Sequence, residues 1–305
     1  MSTANPYPPT MANFAHLSPE TAKLMTLPNA ERVQACEMDH WVGYSRAIQV
    51  LDHLDNVMTY PRSLRMPNVL VVGRSGNGKS AIRHRFVHRY PIQITERGEA
   101  VVPLVDIEVP GTPDESEIWS EFLLRLGIAH SSRDTPTVKL QRLKQALIDV
   151  NARVLVIDEF NNFTRAGKAA GDLLASLKNL SNVLNLSVVA FGTQEAINAL
   201  NTDPHMKSRF DPLALDRWLC NVEYRRFLTT YERLLPLAEP SKLASPLLAA
   251  QIHYMAGDTI GGTVKLLKRS AAEAIRNGIE KIDKQLLDTI QWTRTDDWDQ
   301  ISRRV

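Results

Sequence analysis

The residues best suited to chemistry are Gly73-Arg74-Ser75-Gly76-Asn77-Gly78-Lys79-Ser80, three glycines followed by a lysine and a hydroxyl in the spacing G-x-x-x-x-G-K-S. Glycines let a backbone curl until successive N–H groups point at one anion. A helix beginning near Lys79 adds its N-terminal dipole to that cradle. Lys79 is placed to reach the β- and γ-phosphates of a nucleotide, and the Ser80 hydroxyl to take a position on Mg²⁺. A glycine-rich turn without a ligand is the plain alternative. The flanks argue against it: the apolar run "VLVV" (69–72) precedes the turn, and helical text with Ile82, Phe86 and Tyr90 on one face follows it.

A phosphate site of this kind needs an acid on another strand, and "VLVIDEF" supplies one. Asp158, at the end of an apolar run, is placed to hold Mg²⁺ directly or through water, and Glu159 to orient and polarise an attacking water. An acid beside the metal aspartate favours hydrolysis over nucleotide storage. "VVAFGTQEA" puts Thr193 just past the next apolar run, where its hydroxyl can reach between γ-phosphate and water or cap the helix that follows. The two roles are compatible. Arg209, in "HMKSRFDP", precedes the last strand and is poorly placed for its own nucleotide. It is either a surface arginine or a residue that reaches a neighbour's nucleotide in trans. Lys265, at the start of a late helix, is either a solvated lysine or a cation that meets the γ-phosphate from above.

Other candidates carry less. His84 and His88 have the spacing of a metal pair on a helix, but no third ligand is near in sequence. Arg83, Arg85 and Arg89 on the same helix read as a solvated or subunit-facing surface. Arg133, Lys139, Arg142 and Lys144 in "SSRDTPTVKLQRLKQ", with Arg165 and Lys168 in "FTRAGKAAG", are the best DNA-contact candidates, although most basic loops are only solvated.

The elements that must position these residues follow from the apolar pattern. Short runs at 69–72, 101–109, 154–157 and 186–191 alternate with helical text, and 212–220 offers a fifth strand. Strands buried on both faces and alternating with helices argue for a parallel sheet covered on both sides. The organisation read from the text is a Pro/Ser/Thr/Asn-rich segment 1–18 without fixed structure, a helical extension 19–66, an α/β nucleotide-binding domain 67–221, a helical lid 222–290 and a polar tail 291–305. Composition is that of a globular chain of 305 residues, 44% hydrophobic and 23% charged, with 36 Lys+Arg against 34 Asp+Glu for a net charge of +2. That balance neither demands nor excludes nucleic acid. Two distant cysteines and the lack of a signal-peptide pattern lead to the expectation of a cytoplasmic protein, and no apolar run is long enough to span a membrane.

In this order, these residues resemble an AAA+ ATPase. More narrowly, the chain resembles the TniB/TnsC family of transposition ATPases, related to the phage protein MuB. The narrower marks are "HWVGYSRAIQVLDHL", "PRSLRMPNVLVVGRSGNGKS", "LVIDEFNNF", "RFDPLALDRW" and "LLPLAEPSKL" followed by "GGTVKLLKRSAAEAI". The resemblance implies an AAA+ P-loop fold with a central five-stranded parallel sheet and a C-terminal helical lid. It implies ATP and Mg²⁺ as cofactors, Glu159 as the catalytic acid, Thr193 as sensor one, Arg209 as a finger and Lys265 as sensor two. Arginine is common at sensor two, and lysine keeps the charge without the bidentate geometry. The implied function is regulation of DNA transposition. ATP-bound subunits would form a ring or helical filament on double-stranded DNA and recruit and activate an integrase-type transposase (TniA/TnsB-like), with a TniQ-type targeting protein as a further partner. The alternatives are a helicase or clamp-loader ATPase of replication, and a nucleotide-gated DNA-binding module with negligible turnover.

Overall fold

The computed structural model describes residues 14–201 and 207–293, apart from the Lys168 side chain. The chain forms two compact units that divide between Ser45 and Arg46 and again between Asp216 and Arg217.

The first unit, residues 46–216, is built on a five-stranded sheet. Its strands are β1 (Asn68–Gly73), β4 (Leu104–Glu108), β5 (Val154–Asp158), β6 (Ser187–Gly192) and β7 (Phe210–Leu215). They lie in the order β4-β5-β6-β1-β7, and every neighbouring pair is parallel. β5 and β6 are buried along their whole length, as two-sided coverage by helices requires. The covering helices include α4 (Lys79–Arg89), α5 (Glu115–Arg125), α6 (Pro136–Asp149), α7 (Ala170–Leu184) and α8 (Gln194–Asn201), with α3 (Ser45–Thr59) ahead of β1. Leu155, Ile157, Phe122, Leu143, Leu177 and Val188 belong to one continuous core. β7 tolerates Pro212 because it is an edge strand with one side free of ladder bonds.

The apolar text 101–109 is two strands rather than one. Pro103 cannot donate to a ladder, so the chain breaks there, with Ala100–Val101 (β3) pairing antiparallel with Gln93–Ile94 (β2) and the sheet strand β4 starting at Leu104. The fifth strand starts earlier than 212 and ends at Leu215, and Trp218 belongs to the other unit.

The second unit joins the beginning of the chain to its end. Its helices are α1 (Pro19–Leu24), α2 (Asn29–Glu37), α9 (Val222–Glu232), α10 (Pro246–Ala256), α11 (Ile260–Arg276) and α12 (Lys284–Thr289). α2 packs along α11, and its buried Arg32 pairs with Glu280 and donates to the Pro236 carbonyl. The segment expected as one extension, 19–66, is therefore divided: α1 and α2 build the helical unit, and α3 builds the sheet unit. Residues 14–18 also depart from the expected loose segment. Phe14 and Leu17 are buried against Ala22, and Ser18 caps α1 by accepting from Thr21 N–H at 3.2 Å. In the expected polar tail, Trp292 donates to the Met255 carbonyl at 2.7 Å. Residues 1–13, 202–206 and 294–305 lie outside the described residues. Among those described, no helix is long and apolar enough to cross a membrane.

Candidate active site

The glycine loop occupies the turn from β1 into α4. Gly76 and Gly78 have φ of 74° and 86°, the left-handed region that a side chain resists. Gly73 carries a different constraint: a Cβ there would meet the Leu215 Cβ at 3.0 Å. The Lys79 ammonium donates to the Gly73 and Arg74 carbonyls at 2.8 and 2.9 Å, folding the side chain back under its own loop. Burial pushes Lys79 below its ordinary pKa, while the Glu159, Asp158 and Glu195 carboxylates pull it upward. Asn77 is buried, and its amide N–H₂ donates to the Leu215 and Asp216 carbonyls at 2.8 and 2.7 Å. Two carbonyls on one side fix the amide's orientation. The loop is thus tied to the end of β7, where the sheet unit stops.

Two strands away, β5 delivers Asp158 and Glu159. Asp158 is 6% exposed and accepts the Glu159 backbone N–H at 2.9 Å. Glu159 has φ 50° and ψ 38°, a left-handed conformation that costs a non-glycine residue energy and clusters at functional sites. The 3₁₀ segment Phe160–Ala169, broken at Gly167, follows at once. Within it Asn161 makes a link that the sequence does not announce. Its amide donates to the Glu159 carboxylate at 3.1 Å, and its carbonyl oxygen accepts the Thr193 backbone N–H at 3.2 Å. One side chain therefore joins the candidate catalytic acid to the candidate sensor on the neighbouring strand. Gly192 makes room for it, since a Cβ there would lie 3.3 Å from the Asn161 amide oxygen and 2.6 Å from the Ala196 Cβ. The Thr193 hydroxyl donates to the Glu195 carboxylate in the first turn of α8 and holds Glu195 below its usual range.

Arg209 and Lys265 are the remaining candidates. Arg209 precedes β7 and pairs with the Asn182 side chain. Parallel registry sets Asn68 opposite Phe210 and Gly73 opposite Leu215, so Arg209 stands at the strand end opposite the glycine loop. At ~3.3 Å per residue, the length of β1 separates the two by roughly 16 Å. Lys265 lies on α11, in the helical unit.

Among the basic candidates, Lys139 does not present its charge to solvent. It is 3% exposed, and its ammonium donates to the Ser116 and Ser120 hydroxyls at 2.7 and 2.8 Å. It shares the buried face of α6 with Leu143, Ala146 and Leu147, a pattern present in the sequence. Arg142 pairs with Asp134 at 2.7 Å, Arg133 and Arg165 are exposed, Lys144 is half-buried, and the Lys168 side chain lies outside the described residues. His84 and His88 stack with ring centroids 3.9 Å apart, and His88 Nδ1 lies 2.8 Å from the His84 carbonyl. Among the described residues, no group of three or more His, Cys, Asp or Glu is placed to hold a metal ion. Arg83 and Arg89 are not simply solvated. Arg89 pairs with Asp55, and Arg83 lies against Asp106 and Asp158.

The donors fit a nucleotide with a hard cation. An open hydroxyl at Ser80 and a carboxylate at Asp158 offer the oxygen chemistry that Mg²⁺ takes, next to a glycine cradle and a buried lysine. The sheet order, the glycine loop and the acid pair at the end of β5 define the α/β P-loop fold of the AAA+ ATPases. Solved structures agree on that fold. The Aeropyrum pernix Orc1 protein in complex with DNA matches at a TM-score of 0.62 and 16% identity, over 84% of this chain and 68% of that one. The A. pernix Orc2 protein in ADPNP–ADP complexes gives 0.61 and 15%, over 83% and 70%. Cdc6p from Pyrobaculum aerophilum gives 0.58 and 20%, over 80% and 66%. A search of curated protein sequences finds no match. The sequence pattern of the family described as "Bacterial TniB protein" matches residues 32–220, and the chain belongs to that family. It is a transposition-associated AAA+ ATPase.

Proposed function

We propose that this ATPase assembles on double-stranded DNA in its ATP state, marks it as a transposition target, recruits and activates an integrase-type transposase, and disassembles on hydrolysis. The observation that carries this reading is the position of Arg209 at the strand end opposite its own glycine loop. An arginine so placed completes a site only across a subunit boundary, which makes ATP part of a head-to-tail interface. Such heterologous contacts generate rings or helical filaments. Assembly also answers the near-neutral charge: a few cations per subunit, repeated along a duplex, neutralise many phosphates. Arg133, Arg142, Lys144, Arg165 and Lys168 remain the proposed DNA contacts. A TniQ-type targeting protein is the further partner that the family suggests.

Within the site, Gly73–Ser80 would hold the triphosphate and Lys79 its β- and γ-phosphates. Ser80 and Asp158 would hold Mg²⁺, which neutralises charge on the phosphate oxygens when bound. Glu159 takes up the water's proton, and Asn161 keeps that carboxylate aimed. Thr193 supplies the hydroxyl that orients the water, and Lys265 is the residue that the family resemblance suggests as sensor two. Release of γ-phosphate, measured with and without duplex DNA, tests this. Magnesium-dependent release that rises with DNA is expected. ATP binding without any release would instead favour a nucleotide-gated DNA-binding module.

A further inference from the structure

Arg83 lies on α4 one turn beyond Lys79 and reaches Asp158. Its Nε lies 2.9 Å from Asp158 Oδ2, and its Nη1 donates to Asp106 Oδ2 at 2.9 Å. Asp106 is also held on its other oxygen, which accepts from Arg125 Nε and Nη2 at 2.9 and 2.6 Å. The two contacts of Arg83 differ in kind. The one to Asp106 is an aligned hydrogen bond. The one to Asp158 is proximity of charge alone: Nε is buried, and its N–H has no hydrogen-bond acceptor. Arg83 is therefore anchored on Asp106 and leans on Asp158 without satisfying it.

We propose that Arg83 is a positioning residue that makes the metal conditional on the nucleotide. Its cation occupies the field of Asp158, the carboxylate proposed to hold Mg²⁺, and Lys79 adds a second positive charge nearby. A divalent ion alone meets repulsion there. The negative charge of a bound triphosphate reverses that balance, and Arg83 need not leave, because its directional bond goes to Asp106. The device keeps Asp158 from capturing a free cation and leaves the acid available only when phosphates are present. It rests on the reading of Gly73–Ser80 and Asp158 as a nucleotide–Mg²⁺ site.

The test is titration of the full-length chain with Mn²⁺, free ion being counted by electron paramagnetic resonance, without nucleotide and with ADP. Wild type is expected to bind Mn²⁺ weakly alone and tightly with ADP. In Arg83→Gln the nucleotide-free affinity should rise about tenfold, equivalent to about 1.4 kcal/mol, narrowing the gap between the two conditions. Arg83→Gln combined with Asp158→Asn should lose that gain. Arg83→Lys, which keeps the charge, should stay near wild type. Asp106→Asn releases the anchor and lets Arg83 pair fully with Asp158, so Mn²⁺ affinity with ADP should fall. Unchanged Mn²⁺ affinity in Arg83→Gln, with a thermal melt showing it folded, overturns the proposal. If Arg83→Gln does not fold, Asp106→Asn decides by the same rule. Failure of wild type to bind ADP at all would instead remove the nucleotide reading itself.

Discussion

Glu159 and Asn161 show what a single residue can decide in this site. Glu159 is held in a left-handed conformation, and its carboxylate is aimed by the Asn161 amide. Glu159→Gln removes the proposed proton acceptor while keeping the shape. ATP binding should survive, and γ-phosphate release should slow by about 10²-fold or more. Asn161→Ala should slow release less, by about tenfold, since the carboxylate remains but loses its orientation. Single-turnover release with matched ATP titrations separates the two, and equal losses would contradict the division of roles. The role proposed for Glu159 was legible in the sequence because an acid directly after a candidate metal aspartate suggests hydrolysis. Asn161 was not, because nothing in the spacing shows that it turns toward the neighbouring strand. The burial of Lys139 was signalled by its place among Leu143, Ala146 and Leu147. So was the pairing of Arg83, through Asp106, an acid within an apolar strand that had to find a cation.

At the scale of elements, the glycine loop is not a free-standing turn. Asn77 binds it to the end of β7 through the Leu215 and Asp216 carbonyls. Asn77→Ala leaves both carbonyls short of a partner and should destabilise the sheet unit by about 2 kcal/mol, measured by urea denaturation. In the helical unit, the Arg32–Glu280 pair ties α2 to the turn after α11. Burial raises Glu280, but the Arg32 guanidinium and the Ala238 N–H outweigh that and leave it below the usual glutamate value. A depressed carboxyl adds stability above its unfolded pKa and loses it as pH falls through the folded one. Glu280→Gln should therefore cost about 3 kcal/mol at neutral pH and flatten the acid limb of a plot of denaturation midpoint against pH. An unchanged acid limb would remove Glu280 from that role. The parallel strands were legible because they are apolar and bounded by turn residues. The division of the N-terminal helices was not, because an amphipathic stripe declares that a face will be buried and not against which partner.

For the whole molecule, the separation of Arg209 from its own loop makes the isolated subunit an incomplete enzyme under the proposed assembly. Arg209→Ala should leave ATP affinity near wild type by isothermal titration and reduce DNA-stimulated phosphate release by about 10³-fold. Normal release would remove Arg209 from the site. The most direct test of ATP-driven assembly is electron microscopy with sedimentation velocity, performed on the chain with duplex DNA and ATP, ADP or no nucleotide, and repeated with Lys79→Ala. Filaments or stacked rings with ATP alone are expected, dissolving with ADP, weakening steeply with salt, and absent in Lys79→Ala. A chain that stays monomeric with ATP and DNA, or that coats DNA equally without nucleotide, would contradict it.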